Sequence, residues 1–511
     1  MLTFPFGLTE RPDGGLPTVI LNEVANSAGK EVVMFTKDAE PHDNWQGVKI
    51  SPASPGAMPP ELFKSWFGTG YWPVLHPKAH TSETLTPDAV KAMYPADKAA
   101  VVSQELEAEY RVKGRSPSEI PQVGSPEFMV RYVAKYAPSQ RVNDAFNDSF
   151  SDAIDRELSR LQRRGADLRF NFQDYFFSPT VGRFAPRIRE MGGRSTYHLH
   201  TTIPALPETE ALPAQIVDLA RGASQADVVL THTEVYNDRL RVIFDRLKLP
   251  VPELRTFALG IDEEDLAKRQ DLITPANYHQ TIPSLKSMTP RQQALIHAAF
   301  DAERMGVPHQ FGMFDRLDPG KGLDTVFLAI DDFLTRARSH MSIDTIQQSF
   351  RFFALLSLFP SDAPADTTNM KDAYGWHVKQ VGEALERKWP GVFMMAEGLS
   401  GKQRDLICAL MRGRTVITGG SEDGLNQVVM ESAFINRDRP TGVIAGENIG
   451  FVMEMDRANL KHNLFSFSPG NINQLVACMN QVVSNPAALV GPKRELVRAI
   501  EARRDSMLID G

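Results

Sequence analysis

Short runs of β-branched and aromatic residues alternate with amphipathic helical stretches along this chain, and the alternation runs through twice. In the first half, strand patterns cover residues 31–36, 167–172, 195–200, 226–231 and 255–259, with helical patterns over 179–191, 211–222 and 237–247. A polar, proline-bearing stretch at 263–290 reads as a linker, and a helix over 291–305 opens the second half. There, strands at 308–314, 350–359, 392–396, 414–418 and 442–445 interleave with helices at 323–339, 370–388, 402–411, 426–434 and 471–483. Regular strand–helix alternation demands a parallel sheet covered on both faces. Two such runs predict an α/β protein of two doubly wound, Rossmann-like domains facing across a cleft. The expected boundaries are 1–290 and 291–490, with a helix over 491–511 packing back on either one. Residues 77–128 are polar and proline-punctuated, with one helix near 99–112, and read as an insertion in the first domain.

Composition excludes several classes of function. With 56 Lys and Arg against 63 Asp and Glu, the net charge of −7 argues against general binding to nucleic acid or anionic membrane. A phosphate-bearing ligand would need a local basic pocket. No apolar run reaches the roughly 20 residues that span a bilayer, and the first residues do not read as a secretion signal. Cys408 and Cys478 lie in apolar helical patterns and read as buried free thiols without metal spacing. A cytoplasmic protein without metal or cofactor is expected, with homo-oligomerisation left open.

The chemistry-bearing residues fall where strands end. Gly419-Gly420-Ser421-Glu422-Asp423-Gly424-Leu425-Asn426 follows the strand at 414–418 and leads into a helix carrying Glu431. Such a strand–turn–helix unit presents backbone N–H groups and a positive helix end at the ligand edge of the sheet. The preceding strand at 308–314 ends in Asp315-Arg316-Leu317-Asp318-Pro319-Gly320-Lys321-Gly322. A forked guanidinium and an ammonium five residues apart on a tight loop suit a diphosphate. Asp423 and Glu431 supply the acceptors that sugar and ribose hydroxyls require. Asp174 and His200 end neighbouring strands of the first half, and Gly14-Gly15 marks a turn where backbone can approach a ligand. An aromatic cluster, Phe63 to His76 with Trp72, suits either core or a sugar face. Taken singly, these features also fit ordinary solvated loops. A dinucleotide-type Gly-x-Gly-x-x-Gly is missing, which argues against a dehydrogenase.

The run Arg316-Leu317-Asp318…Lys321-Gly322-Leu323 with Asp423-Gly424-Leu425-Asn426…Glu431 resembles the two donor-site motifs of the trehalose-6-phosphate synthase and glucosylglycerol-phosphate synthase family. Gly14-Gly15-Leu16, Trp72-Pro73-Val74-Leu75-His76, Gln173-Asp174-Tyr175, His200 and Gly260-Ile261-Asp262 fall in that family's order. The resemblance implies a GT-B fold and retaining transfer of glucose from a nucleoside-diphosphate glucose, UDP-glucose first, to a phosphorylated acceptor. It implies a catalytic set of Arg316, Lys321, His200 and Asp423. Donor contacts would come from Gly14, Gly15, Arg316, Lys321, Asp423, Gly424, Leu425, Asn426 and Glu431, and acceptor contacts from Arg11, Trp72, Asp174 and Tyr175.

The departures lie on the acceptor side. Gln173 stands where the family usually has His, Phe63 where it has Tyr, and Asp362 near the position of a phosphate-gripping Arg. Transfer to glycerol-3-phosphate, with ADP-glucose as donor, and a catalytically idle regulatory homologue are therefore the alternatives.

Overall fold

The architecture comes from a computed structural model that describes residues 2–4, 32–36, 48–52, 72–136, 141–162, 168–206, 212–257, 261, 263–281, 288–356, 370–398, 404–460, 464–490 and 494–500. These fall into two compact units. The first draws on Met1–His76 and Val133–Leu259, the second on Pro77–Tyr132 and Gly260–Gly511.

The described strands of the first unit are β1 (Leu2–Phe4), β2 (Val32–Thr36), β3 (Val48–Pro52), β4 (Arg169–Gln173), β5 (Arg194–Leu199), β6 (Val228–Thr231) and β7 (Glu253–Thr256). They form one sheet in the order β3-β2-β1-β4-β5-β6-β7, with every pairing parallel. The second unit holds β8 (His309–Asp315), β9 (Phe350–Leu356), β10 (Phe393–Glu397), β11 (Thr415–Thr418), β12 (Val443–Gly446) and β13 (Phe465–Phe467). Their order is β10-β9-β8-β11-β12-β13, again all parallel. Both sheets reverse direction of travel once, between β1 and β4 and between β8 and β11. At such a switch point the connections leave on opposite faces, and a crevice opens beyond the strand ends.

Local chemistry explains the strong elements. The Pro290–Arg304 helix starts from a reciprocal Thr289/Gln292 capping box with proline at its first position. Thr233 caps the Glu234–Leu247 helix, which stops where Lys248 turns left-handed. β11 is buried along its whole length, as a central parallel strand must be. Arg414, just before it, is 1% exposed and satisfies its charge on backbone, donating to the carbonyls of Ala299 (2.6 Å) and Leu410 (2.8 Å).

Three readings need correction. The stretch at 77–128 is no excursion of the first domain: Pro77–Tyr132 groups with the second unit. Besides the helix Ala96–Val112 it carries Pro87–Met93 and Pro126–Tyr136. Its anchors are buried polar groups. Thr86 N donates to Asp324 Oδ2 (3.0 Å), Lys78 N donates to Glu422 Oε2 (3.0 Å), and the Thr325 hydroxyl reaches the Thr84 carbonyl (3.4 Å). Nothing in the segment's own periodicity reveals partners 238 and 344 residues away. Second, the linker at 263–290 contains the helices Glu263–Gln270 and Tyr278–Thr281 and belongs with the second unit from Gly260 onward. Its polar composition is that of a one-sided helix: Leu266 is buried while Glu264 and Lys268 pair outside. Third, the Pro-, Ser- and Gly-rich stretch 51–60 reads from its composition as a loop, yet Ser51 and Pro52 close β3. The short strands β1 and β13 were not anticipated either; three residues carry too little alternation to register.

Asp324, on the Leu323–Arg338 helix, joins the segment to the Met370–Lys388 helix, because its carboxylate also accepts from the Tyr374 hydroxyl at 2.8 Å. Asp324→Ala strands the buried Tyr374 hydroxyl and the half-buried Thr86 N–H, so it should destabilise the protein by roughly 2–4 kcal/mol, and Tyr374→Phe by about half as much. Denaturant titration measures both, and equal stability of Asp324→Ala and the parent chain would refute the anchoring role.

Candidate functional site

The sharpest constellation stands at the switch point of the second sheet. β8 delivers Asp315, and the loop after it brings Lys321 back beneath the loop that follows β11. The two loops touch backbone to backbone. A Cβ at Gly419 would collide with the Lys321 carbonyl oxygen, and Gly322 takes the left-handed φ of +57° that turns the chain there. Glu422 N donates to the Gly320 carbonyl (3.2 Å), and on its other side the loop is held by Gly450 N donating to the Asp423 carbonyl (2.9 Å).

Lys321 is buried at 7% exposure, with Asp423 Oδ2 in close contact and Asp315 Oδ1 at 3.2 Å. Burial opposes its charge, but Asp423 and then Asp315 outweigh that and hold its pKa above the usual lysine value. Asp315 is pushed up by burial, with Lys321 pulling the other way. Arg316 behaves differently: its side chain is 62% exposed, 3.6 Å from Asp318. The loop thus offers one fixed, buried cation and one that reaches into solvent. Asp315 was not singled out from the sequence as a functional group, although an acid closing a buried strand was a signal for it.

Asn426 takes a left-handed φ of 61° before the Gln427–Ile435 helix, with no side-chain cap on the helix N–H groups. Its side-chain amide donates to Thr418 Oγ1 (2.8 Å), while Oδ1 is buried without a hydrogen-bond partner. Positive φ at a non-glycine is strain that surrounding structure must hold in place. Leu425 fills the core (4% exposed), and Gly424 is buried beside it. Glu431, in the second turn, is 9% exposed, and its Oε1 accepts from Arg404 Nη2 at 2.6 Å. Burial raises its pKa and Arg404 counters that shift. Arg404 was missed in the sequence because 27 residues separate it from Glu431 and no spacing rule connects them.

In the first unit the ends of β4, β5 and β6 assemble a second polar cluster. Asp174 has φ 75°, the other strained non-glycine at an anticipated position; its N donates to the His198 carbonyl (2.8 Å) and its Oδ1 accepts from Tyr175 N (2.9 Å). Tyr175 is buried with its ring on Phe176, centroids 4.2 Å apart. His200 Nε2 lies 2.7 Å from Gln173 Oε1, and its Nδ1 is buried without a hydrogen-bond partner. With the Gln173 amide in this orientation its oxygen accepts from an Nε2 proton, the tautomer that leaves Nδ1 as an acceptor for a hydroxyl. The His198 and His232 rings flank it at 5.8 and 5.3 Å. Burial, then the His232 charge, lowers the pKa of His198 to about 3 and that of His200 well below the usual range. Both are neutral at physiological pH.

Arg11, Gly14, Gly15, Phe63, Gly260, Asp262 and Asp362 lie outside the described residues, as does the side chain of Trp72, which heads the Trp72–Leu75 helix. Cys408 and Cys478 are buried free thiols. Among the described residues no cluster of His, Cys, Asp and Glu suits a metal ion, and no helix is long and apolar enough to cross a membrane.

The neutral imidazoles have a measurable consequence. In the unfolded chain these histidines bind protons near pH 6.5, in the folded chain only far below it, so stability is full above that value and lost as pH falls. Nitrogen-15 spectra should show the His198 and His200 rings neutral between about pH 5 and 8; ordinary titration midpoints would contradict this.

No protein-family profile matches the chain, and no curated protein is detectably similar. Solved structures are similar in shape. A trehalose-6-phosphate protein from E. coli bound with UDP-2-fluoro glucose aligns at TM-score 0.64 and 15% identity, over 100% of this chain and 98% of the other. The α,α-trehalose-phosphate synthase (UDP-forming) of Burkholderia vietnamiensis aligns at 0.63 and 16%, over 100% and 98%. That of Burkholderia xenovorans, in complex with glucose-6-phosphate, aligns at 0.64 and 14%, over 100% and 99%. With two parallel, doubly wound sheets matched along their whole length to these structures, the chain has the GT-B fold of the trehalose-6-phosphate synthases.

Proposed function

We propose that the protein is a retaining glucosyltransferase that moves α-glucose from a nucleoside-diphosphate glucose, UDP-glucose first, to a phosphorylated small-molecule acceptor. The observation that carries this reading is the loop pair at the β8/β11 switch point, where Lys321 pairs with Asp423 and Arg316 stays exposed on the same loop, with Glu431 in the helix that follows. Two cations of unlike mobility suit a leaving diphosphate, whose charge grows as the bond from sugar C1 to the phosphate oxygen breaks. Lys321 is already oriented by its two carboxylates, so little reorganisation is needed when that charge develops. Exposed Arg316 closes on the ligand from solvent. Glu431 accepts ribose hydroxyls, and the helix start after Asn426, which carries no side-chain cap, favours the anion.

Retention follows if acceptor oxygen attacks C1 on the face the diphosphate leaves. The acceptor hydroxyl proton then passes to the departing phosphate oxygen, and no protein base is consumed. In the first unit, Asp174 and neutral His200 offer a carboxylate and a ring nitrogen to sugar hydroxyls. Two of the similar structures hold a UDP-fluoro sugar and glucose-6-phosphate, which makes glucose-6-phosphate the first acceptor to test. Gln173 in place of the family's usual His keeps glycerol-3-phosphate with ADP-glucose as the second.

The test is nucleotide release from UDP-, ADP- and GDP-glucose, each with glucose-6-phosphate, glycerol-3-phosphate or no acceptor, with products weighed by mass spectrometry. Acceptor-dependent release of one nucleotide, with an α-linked product, is expected. Silence with every donor, in protein that binds none of them, would overturn the assignment. Arg316→Ala should lower turnover about 10²- to 10³-fold. Its side chain is 62% exposed, so the melting temperature should stay unchanged. Full turnover in that variant would remove Arg316 from the mechanism.

A further inference from the structure

Glu431 sits in a helix whose residues Val429 to Ile435 are all buried, a setting in which a lone carboxylate would take up a proton. Arg404, with Arg269 behind it, opposes this from within a cluster of titratable groups on three helices of the second unit, in which Asp265 acts the other way. Glu263–Gln270 contributes Asp265 and Arg269, Arg404–Met411 contributes Arg404, Asp405 and the Cys408 thiol, and Gln427–Ile435 contributes Glu431 itself. β11 and β12, also packed on that helix, bring no titratable side chain. Arg269 serves Asp265 (2.6 Å) and Asp405. Arg404 lies 3.9 Å from Asp265 but 2.6 Å from Glu431, so it is the counter-charge of Glu431. Arg404 Nε is, moreover, buried with no hydrogen-bond partner.

We infer that Arg404 is a positioning residue for nucleotide recognition, holding the Glu431 carboxylate as an oriented anion for the vicinal hydroxyls of a ribose, so that the pocket selects ribonucleotides over their deoxy counterparts. This rests on the transferase reading above. The guanidinium takes one lone-pair direction of Oε1, and the carboxylate's remaining acceptor sites stay with two hydroxyl donors. A carboxyl that had gained a proton would satisfy one hydroxyl at most.

The experiment is calorimetric binding of UDP, ADP and GDP and of their 2′-deoxy forms to the full chain between about pH 5 and 8.5. The parent protein should prefer the ribose form of its nucleotide by about tenfold or more, with affinity flat across the range. Arg404→Met should lose that preference and bind about 10- to 100-fold more weakly at low pH, recovering as pH rises and Glu431 ionises. Arg404→Lys should restore part of the affinity. The double variant Arg404→Met/Glu431→Gln, which buries no unpaired charge, should fold and bind weakly without pH dependence. An Arg404→Met protein with the parent's sugar preference and pH profile would overturn the inference. So would an equal loss for ribose and deoxyribose forms at every pH, the mark of a merely structural ion pair. Parent protein that binds no nucleoside diphosphate would overturn the transferase reading itself, an outcome separate from both.

Discussion

Lys321 between Asp315 and Asp423 is the contact on which the second unit's ligand edge depends. It ties the end of β8 to the loop after β11, the two strands that flank the switch point. A buried ion pair contributes little net stability, since desolvation cancels most of the attraction, yet removing one partner is costly. Its value here is geometric. The ammonium cannot leave its carboxylates for solvent, so it stands at one place whether or not an anion is present. The glycines at 419 and 322 permit this, because any side chain at 419 would push the loops apart and break the pair.

Around that pair the structure repeats one solution: a buried charge is held by a partner from a distant part of the chain. Arg404 faces Glu431, Asp324 joins Thr86 N to the Tyr374 hydroxyl, and Glu422 receives Lys78 N. The last two bring Pro77–Tyr132 onto the loops that carry the candidate site, since Glu422 directly precedes Asp423 and Asp324 opens the helix after Lys321. The first unit uses another device. There, burial pushes the His198 and His200 rings well below the usual imidazole range, which favours the uncharged rings beside the Asp174 carboxylate. Backbone strain is spent in the same places: two of the left-handed non-glycine residues, Asp174 and Asn426, lie in the polar clusters of the two units.

The alternation of strand and helix was plain in the sequence because buried parallel strands must be apolar and their covering helices one-sided. That sufficed for the fold class, for most strands and helices to within a few residues, and for the strand-end positions of Asp174, His200, Arg316, Lys321 and Asp423. A residue at the carboxyl end of such a strand reaches the ligand edge whatever its neighbours are. What pairs with what was not legible. Strand order, the partners of Lys321 and Glu431, the neutral state of His200 and the attachment of residues 77–132 all join points tens to hundreds of residues apart. Local periodicity ends at a helix or strand length, whereas burial and charge pairing are set by the packed molecule, and only the tertiary structure decided them.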